Sequence, residues 1–255
     1  MTIKINEGKY EHICLHCNKK FYNNKKEQKF CSISCGVSHR NFSYNDESFF
    51  KNKIDSEEKA YVLGLFMADG SISEDKISIT QNDRSLIEKI RDLINPNRKI
   101  YTRGKSNTIM WTNKEDLDFL KSIGITVNKS YDARMNLLEP SLMPHYIRGW
   151  FDGDGCIYKN TATDRKRGYY NTYKQVSITS GSANAVTGFL FFLDSIGIKA
   201  TYVLDNRCKK EERNNCWYVK INSQQDVEAF KHYIYDTMKT ELYLPKKYNR
   251  FYDIV

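Results

Sequence analysis

Two acidic residues, Asp69 and Asp154, end matching apolar runs: Val62-Leu63-Gly64-Leu65-Phe66-Met67-Ala68-Asp69-Gly70 and Ile147-Arg148-Gly149-Trp150-Phe151-Asp152-Gly153-Asp154-Gly155. Each run carries a glycine in its middle and closes on an acid followed by glycine, a helix with a stop signal. Taken together they predict two helices that pack on each other and end at one level. Gly64 and Gly149 remove a side chain where the backbones approach. Asp69 and Asp154 then sit side by side at two helix C-termini, where the helix dipole and mutual repulsion oppose ionisation. A hard divalent cation that takes oxygen ligands from both removes that cost. On a basic chain, such a site suggests phosphodiester chemistry.

A second cluster is built of thiols. Cys14-Leu15-His16-Cys17 is followed by Cys31-Ser32-Ile33-Ser34-Cys35. Four thiolates at this spacing close a tetrahedral zinc site, and so short a segment has almost no core without one. Phe21, Tyr22 and Phe30 supply a small apolar lid. Lys19, Lys20, Lys25, Lys26 and Lys29 give the module a phosphate-facing side. The module resembles the small treble-clef or ribbon-type zinc fingers that accompany phage and mobile-element proteins. The chain holds seven cysteines. An odd count with four in one cluster favours reduced thiols and a metal over a disulfide framework, hence an intracellular compartment.

The elements that must position these groups fit a chain of 255 residues, one sizeable domain plus an appendage. A hydrophobic share of 40% is enough for a packed core, and a net charge of +9 favours a polyanionic partner. No run of eighteen apolar residues exists, so no membrane span is expected. Met1 to Ile5 lack the apolar core of a signal peptide, so an intracellular, cytoplasmic chain is expected. The resemblance of the thiol module to fingers of phage and mobile-element proteins implies a bacterial or phage-encoded source, with an organelle as the other option.

Asp55 reads as the N-cap of the first motif helix, with Glu58 completing the box. After Asp69, alternating Ser71-Ile72-Ser73 and Lys76-Ile77-Ser78-Ile79-Thr80 predict a hairpin with one buried and one polar face. A helix over 84–94, a hairpin over 99–112 turning at 104–107, and a helix over 114–123 follow. The second half repeats that order with strands at 156–158, 174–180, 200–204 and 217–221, and helices over 183–196 and 225–235. Insertions at 160–173 and 206–216, rich in Lys, Arg, Tyr and Asn, read as long loops reaching along a groove. The pattern is α+β, with a zinc module at 1–40, a linker at 41–55, a first half at 56–145 and a second at 146–255. A two-stranded ribbon fits the major groove of B-DNA. The DNA-facing candidates are Ser78, Thr80, Arg103, Lys105, Gln175, Ser177, Thr179, Tyr218 and Lys220 on the strands, with Arg165, Lys166, Arg167, Lys209 and Lys210 in the insertions.

The two apolar–acid–glycine runs resemble the paired motifs of LAGLIDADG homing endonucleases. The match is close in the second copy; the first has Met67 where the family name has its earlier acid. The resemblance implies a pseudo-twofold LAGLIDADG fold, two αββαββα halves whose antiparallel sheets form a DNA-binding saddle, in a monomer. It implies an intron-encoded endonuclease that cuts double-stranded DNA at a long, partly asymmetric site, using Mg2+ or Mn2+. Asp69 and Asp154, with the main-chain oxygens of Ala68 and Gly153, carry over as metal ligands. Gln81 occupies the position of the family glutamine, which its partner Ser180 does not preserve. Lys129 and Lys239 take the positions of two lysines that position water or stabilise the scissile phosphate, with Lys220 and Lys246 as competitors for the second. The family also includes RNA-binding intron maturases and cleavage-inactive DNA-binding regulators. Intact Asp69 and Asp154 argue against the regulator, and the zinc module favours DNA over RNA.

Overall fold

Helix α1 (Glu57–Asp69) begins where the Ser56 side chain accepts a hydrogen bond from Lys59 N, with Glu57 and Glu58 in its first turn. The cap is therefore Ser56 and not Asp55, whose carboxylate pairs instead with Lys53 at 2.8 Å and Lys59 at 2.7 Å. The computed structural model describes residues 10–37, 47–127, 129–164, 169–205 and 216–252, and only the backbone of 162–164 and 169–171. The chain divides into two compact units, residues 1–47 and 48–255.

In the first unit, β1 (Tyr10–Ile13) and β2 (Lys20–Asn23) form an antiparallel hairpin. The knuckle between them places Asn18 at φ 55, and Asn18 N donates to Cys14 O at 2.9 Å.

The second unit has the two-half architecture implied by the motifs. After α1 come β3 (Gly70–Ile72), β4 (Ile77–Gln81), α2 (Arg84–Ile94), β5 (Ile100–Arg103), β6 (Ser106–Trp111) and α3 (Lys114–Ser122), then the short α4 (Lys129–Asp132). The second half runs α5 (Met143–Asp154), β7 (Gly155–Asp164), β8 (Tyr169–Ser180), α6 (Ala183–Ser195), β9 (Thr201–Leu204), β10 (Trp217–Ile221), α7 (Gln224–Tyr235) and α8 (Pro245–Arg250). Two four-stranded antiparallel sheets result, in the orders β3-β4-β6-β5 and β7-β8-β10-β9. Along each central strand the residues alternate. Ile77, Ile79, Ile109 and Trp111 enter the core of the first half, and Ile157, Val176, Ile178, Val219 and Ile221 that of the second. Their neighbours Ser78, Thr80, Thr108, Tyr158, Thr179 and Lys220 therefore line the opposite, polar faces.

Helices α1 and α5 cross at their glycines, because only there can the backbones meet. A Cβ on Gly64 would lie 2.0 Å from Tyr146 O, and one on Gly149 would lie 2.1 Å from Tyr61 O. The apolar residues around these glycines are buried on all sides, which explains why α1 shows almost no amphipathic face.

Two expectations change here. The linker expected over 41–55 ends earlier: the buried Asp116 carboxylate accepts from Ser48 Oγ at 2.7 Å, Phe49 N at 3.1 Å and Phe50 N at 2.9 Å, which ties this segment into the larger unit. The first insertion is not a loop. Its residues continue the β7–β8 ladder as far as the pair Asp164↔Tyr169. Most of the second insertion lies outside the described residues. No helix among the described residues is long and apolar enough to cross a membrane.

Candidate active site

Both motif helices stop in the same way. Gly70 and Gly155 turn to extended backbone, at φ −91 and −82, while their N–H groups still donate to Phe66 O and Phe151 O. Asp69 and Asp154 are thus the last residues of α1 and α5, and the contact there is close. A Cβ on Gly153 would lie 2.1 Å from Ala68 Cβ and 3.1 Å from Asp69 Oδ2. Burial pushes the Asp69 carboxyl up to about 6, reinforced by the charge of Asp154 and only partly offset by Lys247 and Lys129. Burial also raises Asp154, with Lys129 and Lys247 opposing it. Two partly buried carboxylates that disfavour each other's ionisation form a hard oxygen donor set with a charge deficit to fill, which is what a divalent cation fits.

Two lysines stand beside the acids in matching positions. Lys129 Nζ donates to Met67 O at 2.9 Å and Ala68 O at 3.3 Å, and lies 5.8 Å from the centre of the Phe66 ring. Lys247 Nζ donates to Phe151 O at 2.8 Å, to Gly153 O at 2.9 Å and to Asp152 O, and lies 5.6 Å from the Phe151 ring. Each ammonium ties off the last carbonyls of one motif helix, which have no partner within the helix. Burial lowers both lysines, and the facing aspartates push them back up. The carbonyls of Ala68 and Gly153, expected as metal ligands, accept from these lysines and keep one lone pair each.

Lys247, and not the expected Lys239, is the lysine that the structure brings to the end of α5; Lys239 lies at the opposite end of the helix pair. Lys239 is exposed, and its backbone N–H donates to Glu57 Oε1 at 2.9 Å. Glu57 is the first residue of α1 and Asp69 the last, a separation of about 18 Å along the helix. The reason is loop length. Lys239 follows α7 as Lys129 follows α3, but in the second half the chain runs on before its short helix, α8, delivers a lysine to the site. Pro245, which opens α8, is the sequence signal that could have pointed to Lys247. Lys246 lines a cleft together with Gln81, Gly153 and Lys247, and Lys220 lies on the strand face.

Gln81 Nε2 donates to Asp69 Oδ2 at 2.7 Å, whereas Ser180 Oγ accepts from Ser182 N at 3.1 Å. Asp152 is fully buried and accepts from Tyr61 Oη at 2.7 Å and Leu244 N at 2.9 Å, so it anchors the segment that leads into α8.

On the polar faces, Arg103 and Lys105 are exposed, and Ser78, Thr80, Thr179, Tyr218 and Lys220 are half-buried. Gln175 and Ser177 point to the same side but are covered, at 8% and 4% exposure. Gln175 Nε2 donates to Asn222 Oδ1 and its Oε1 accepts from Asn160 Nδ2 at 3.1 Å, so Gln175 braces the face instead of presenting its amide from it. Arg165, Lys166, Arg167, Lys209 and Lys210 lie outside the described residues.

In the smaller unit, the sulfurs of Cys14, Cys17, Cys31 and Cys35 all lie within 4.8 Å of one another. Cys17 and Cys31 are 3.7 Å apart and Cys31 and Cys35 3.4 Å, close to the roughly 3.8 Å edge of a tetrahedral zinc–thiolate site. Burial would raise the Cys14 thiol, but the backbone N–H groups of Cys17, Cys31 and His16 bring it down to about 6. Cys31, hydrogen-bonded to Cys35 and partly desolvated, rises to about 12. Thiols this close can all ionise only against a cation, and the donor set fits zinc.

The comparisons with known proteins agree with the geometry. A LAGLIDADG-like domain family matches residues 56–124 and 142–235. An uncharacterized protein of Methanocaldococcus jannaschii is 26% identical over 179 residues, 64% of this chain and 62% of that protein. A reverse gyrase of the same organism is 28% identical over 179 residues, 70% of this chain but 10% of its own length. The chain thus spans less than two thirds of the curated relatives it matches first. Among solved structures, I-SmaMI bound to uncleaved DNA in the presence of calcium ions superposes with a TM-score of 0.53 at 15% identity, covering 78% of this chain and 89% of that one. The LAGLIDADG homing endonuclease I-GzeII in complex with its DNA target gives 0.52 at 14% identity, covering 76% and 87%. At these identities the likeness is one of fold.

Proposed function

The chain belongs to the LAGLIDADG-like domain family, and from that membership we propose that it is a monomeric, metal-dependent endonuclease that cuts double-stranded DNA at a long, partly asymmetric site. The observation that carries this reading is the paired site itself: two carboxylates at abutting helix ends, each with a lysine on the matching carbonyls. Its pseudo-twofold arrangement suits the two antiparallel strands of a duplex. Asp69 and Asp154 hold the cation. A bound Mg2+ or Mn2+ would stabilise charge developing on the phosphate and lower the pKa of an attacking water. Gln81 fixes the orientation of the Asp69 carboxylate, and Lys129 and Lys247 set two positive charges where the phosphate gains negative charge. A cleavage-inactive regulator would bear the cost of two buried acids for no return.

Stretches similar to this chain form only small parts of a reverse gyrase and of an A-type ATP synthase chain from Pyrococcus abyssi. A self-contained module carried on a mobile element fits that distribution. The four-cysteine module holds zinc, and its lysines add affinity through phosphate contacts more than specificity.

The test is cleavage of a duplex selected from a random library, with Mg2+ and with chelator. Double-strand cutting in Mg2+ alone supports the reading, and selected binding with no cutting in either Mg2+ or Mn2+ refutes it. Native mass spectrometry should find one zinc, lost when Cys31 and Cys35 are both changed to Ser.

A further inference from the structure

The two ribbons that leave the carboxylates differ in length. β3 and β4 pair at Gly70↔Ile79, Ser71↔Ser78 and Ile72↔Ile77, then turn back. β7 and β8 start at the equivalent pair, Gly155↔Ile178, and continue outward through ten pairs to Asp164↔Tyr169. The seven further pairs, at about 3.3 Å each, carry the second ribbon about 23 Å past the point where the first one turns. That is about seven steps of B-DNA at its 3.4 Å rise.

The base of the long ribbon is braced on both strands by the C-terminal segment. Arg250 Nη1 donates to Ile157 O on β7 at 3.1 Å, and Lys174 Nζ on β8 donates to Phe251 O at 2.6 Å. Across the polar face, Asn160 holds Gln175 and Gln175 holds Asn222, at the end of the neighbouring strand. At the outer edge of this brace, Asn160 and Tyr173 form a cross-strand pair on the polar face, since Ile157, Val176 and Ile178 take the core side. A two-stranded ribbon on its own is marginal in water. One that is aimed and pinned at its base, yet runs this far from the core, gains stability from a surface that covers it. The major groove is wide enough to take it.

We infer that the recognition site reaches about seven base pairs further from its centre on the flank read by the second half, with the β7–β8 ribbon in the major groove there. The inference rests on the endonuclease reading above and names which half-site is the longer one and which element reads its outer part.

The test uses a duplex library with a randomised core long enough for the whole site, selected by the full chain and by a variant in which residues 161–172 are replaced with Asn-Gly. That variant closes Asn160 to Tyr173 with a two-residue turn. The full chain should select a consensus about seven base pairs longer on one side of the cut. The shortened ribbon should lose that flank alone, bind the full consensus at least tenfold more weakly, and cut at the same bonds. Tyr173→Ala, which leaves the ribbon in place, should relax the preference on the same flank without changing the unfolding temperature. A consensus of equal reach on both flanks, or one that survives shortening unchanged, overturns the inference while leaving the endonuclease reading intact. Failure of the full chain to select any duplex overturns both.

Discussion

The two halves of the larger unit agree at their centre and diverge at their edges. Gly64 and Gly149, Phe66 and Phe151, Asp69 and Asp154, Lys129 and Lys247 stand in equivalent positions around the helix pair. Away from it, Gln81 faces Asp69 while Ser180 turns to its own backbone, and one ribbon runs three pairs where the other runs ten. The difference follows from what each residue touches. At the crossing, backbone meets backbone and admits one geometry, so the halves must match. A strand face or hairpin tip meets solvent or a ligand, and a ligand without exact symmetry gives each half a reason to differ.

The comparison breaks most visibly at the glycines. Gly64→Ala and Gly149→Ala should each cost more than about 3 kcal/mol, because the new Cβ meets main chain that cannot move aside. Gly104→Ala, at φ +60 with open space around it, should cost only about 1 kcal/mol. Denaturant midpoints measure all three, and equal losses would show that the helices do not need this close approach.

The lysines come next. Lys129→Met and Lys247→Met should each slow cleavage by about 10²–10³-fold at unchanged DNA affinity, as expected for loss of a fixed positive charge beside the place where negative charge develops. Lys239→Met should leave the rate as it was. Single-turnover cutting of the selected duplex decides it, and a slow Lys239 variant beside a normal Lys247 variant would reverse the assignment.

A smaller effect concerns pH. Asp69 is raised to about 6 in the folded chain and returns to an ordinary value near 4 on unfolding. Between those values the folded state binds the extra proton, so metal-free stability should rise as pH falls from 7 to 4, by up to about 2–3 kcal/mol. Mg2+ should therefore stabilise more at pH 7 than at pH 5. Asp152, also raised to about 6 by burial, adds to the same trend. The readout is accordingly the difference between wild type and Asp69→Asn in thermal melts, and no difference would mean that Asp69 ionises freely. Smallest of all, Gln81→Ala should slow cutting about tenfold, the scale of one hydrogen bond to a charged group, while Ser180→Ala should not.

Much of this was legible in the sequence because it rests on local rules. The apolar–glycine–acid runs fixed the helix pair and its carboxylates, the alternation at 77–80 fixed the polar face, and the CxxC spacing fixed the thiol cluster. What failed depended on chain outside any motif. Lys247 was hidden because the loop after α7 is longer than the one after α3, so counting from the helix led to Lys239. The ribbon read as a loop because Lys, Arg and Asn at 160–173 mask strand pairing that the register alone imposes. Gln175 and Ser177 alternate correctly, yet only neighbours from other strands show that they are covered. Asp116 gave no hint that it would anchor Ser48 and Phe50, since that bond joins residues far apart in the chain.

The claim underlying the comparison is that one symmetric pair of acids holds the metal for both strands. Its most direct test is Mn2+ binding to the protein–DNA complex, followed by electron paramagnetic resonance, in wild type and in the Asp69→Asn/Asp154→Asn double variant. The double variant should bind the selected duplex with near wild-type affinity, take up no Mn2+ at the helix ends and leave both strands intact. Mn2+ bound as in wild type, or either strand cut at the normal rate, would contradict it.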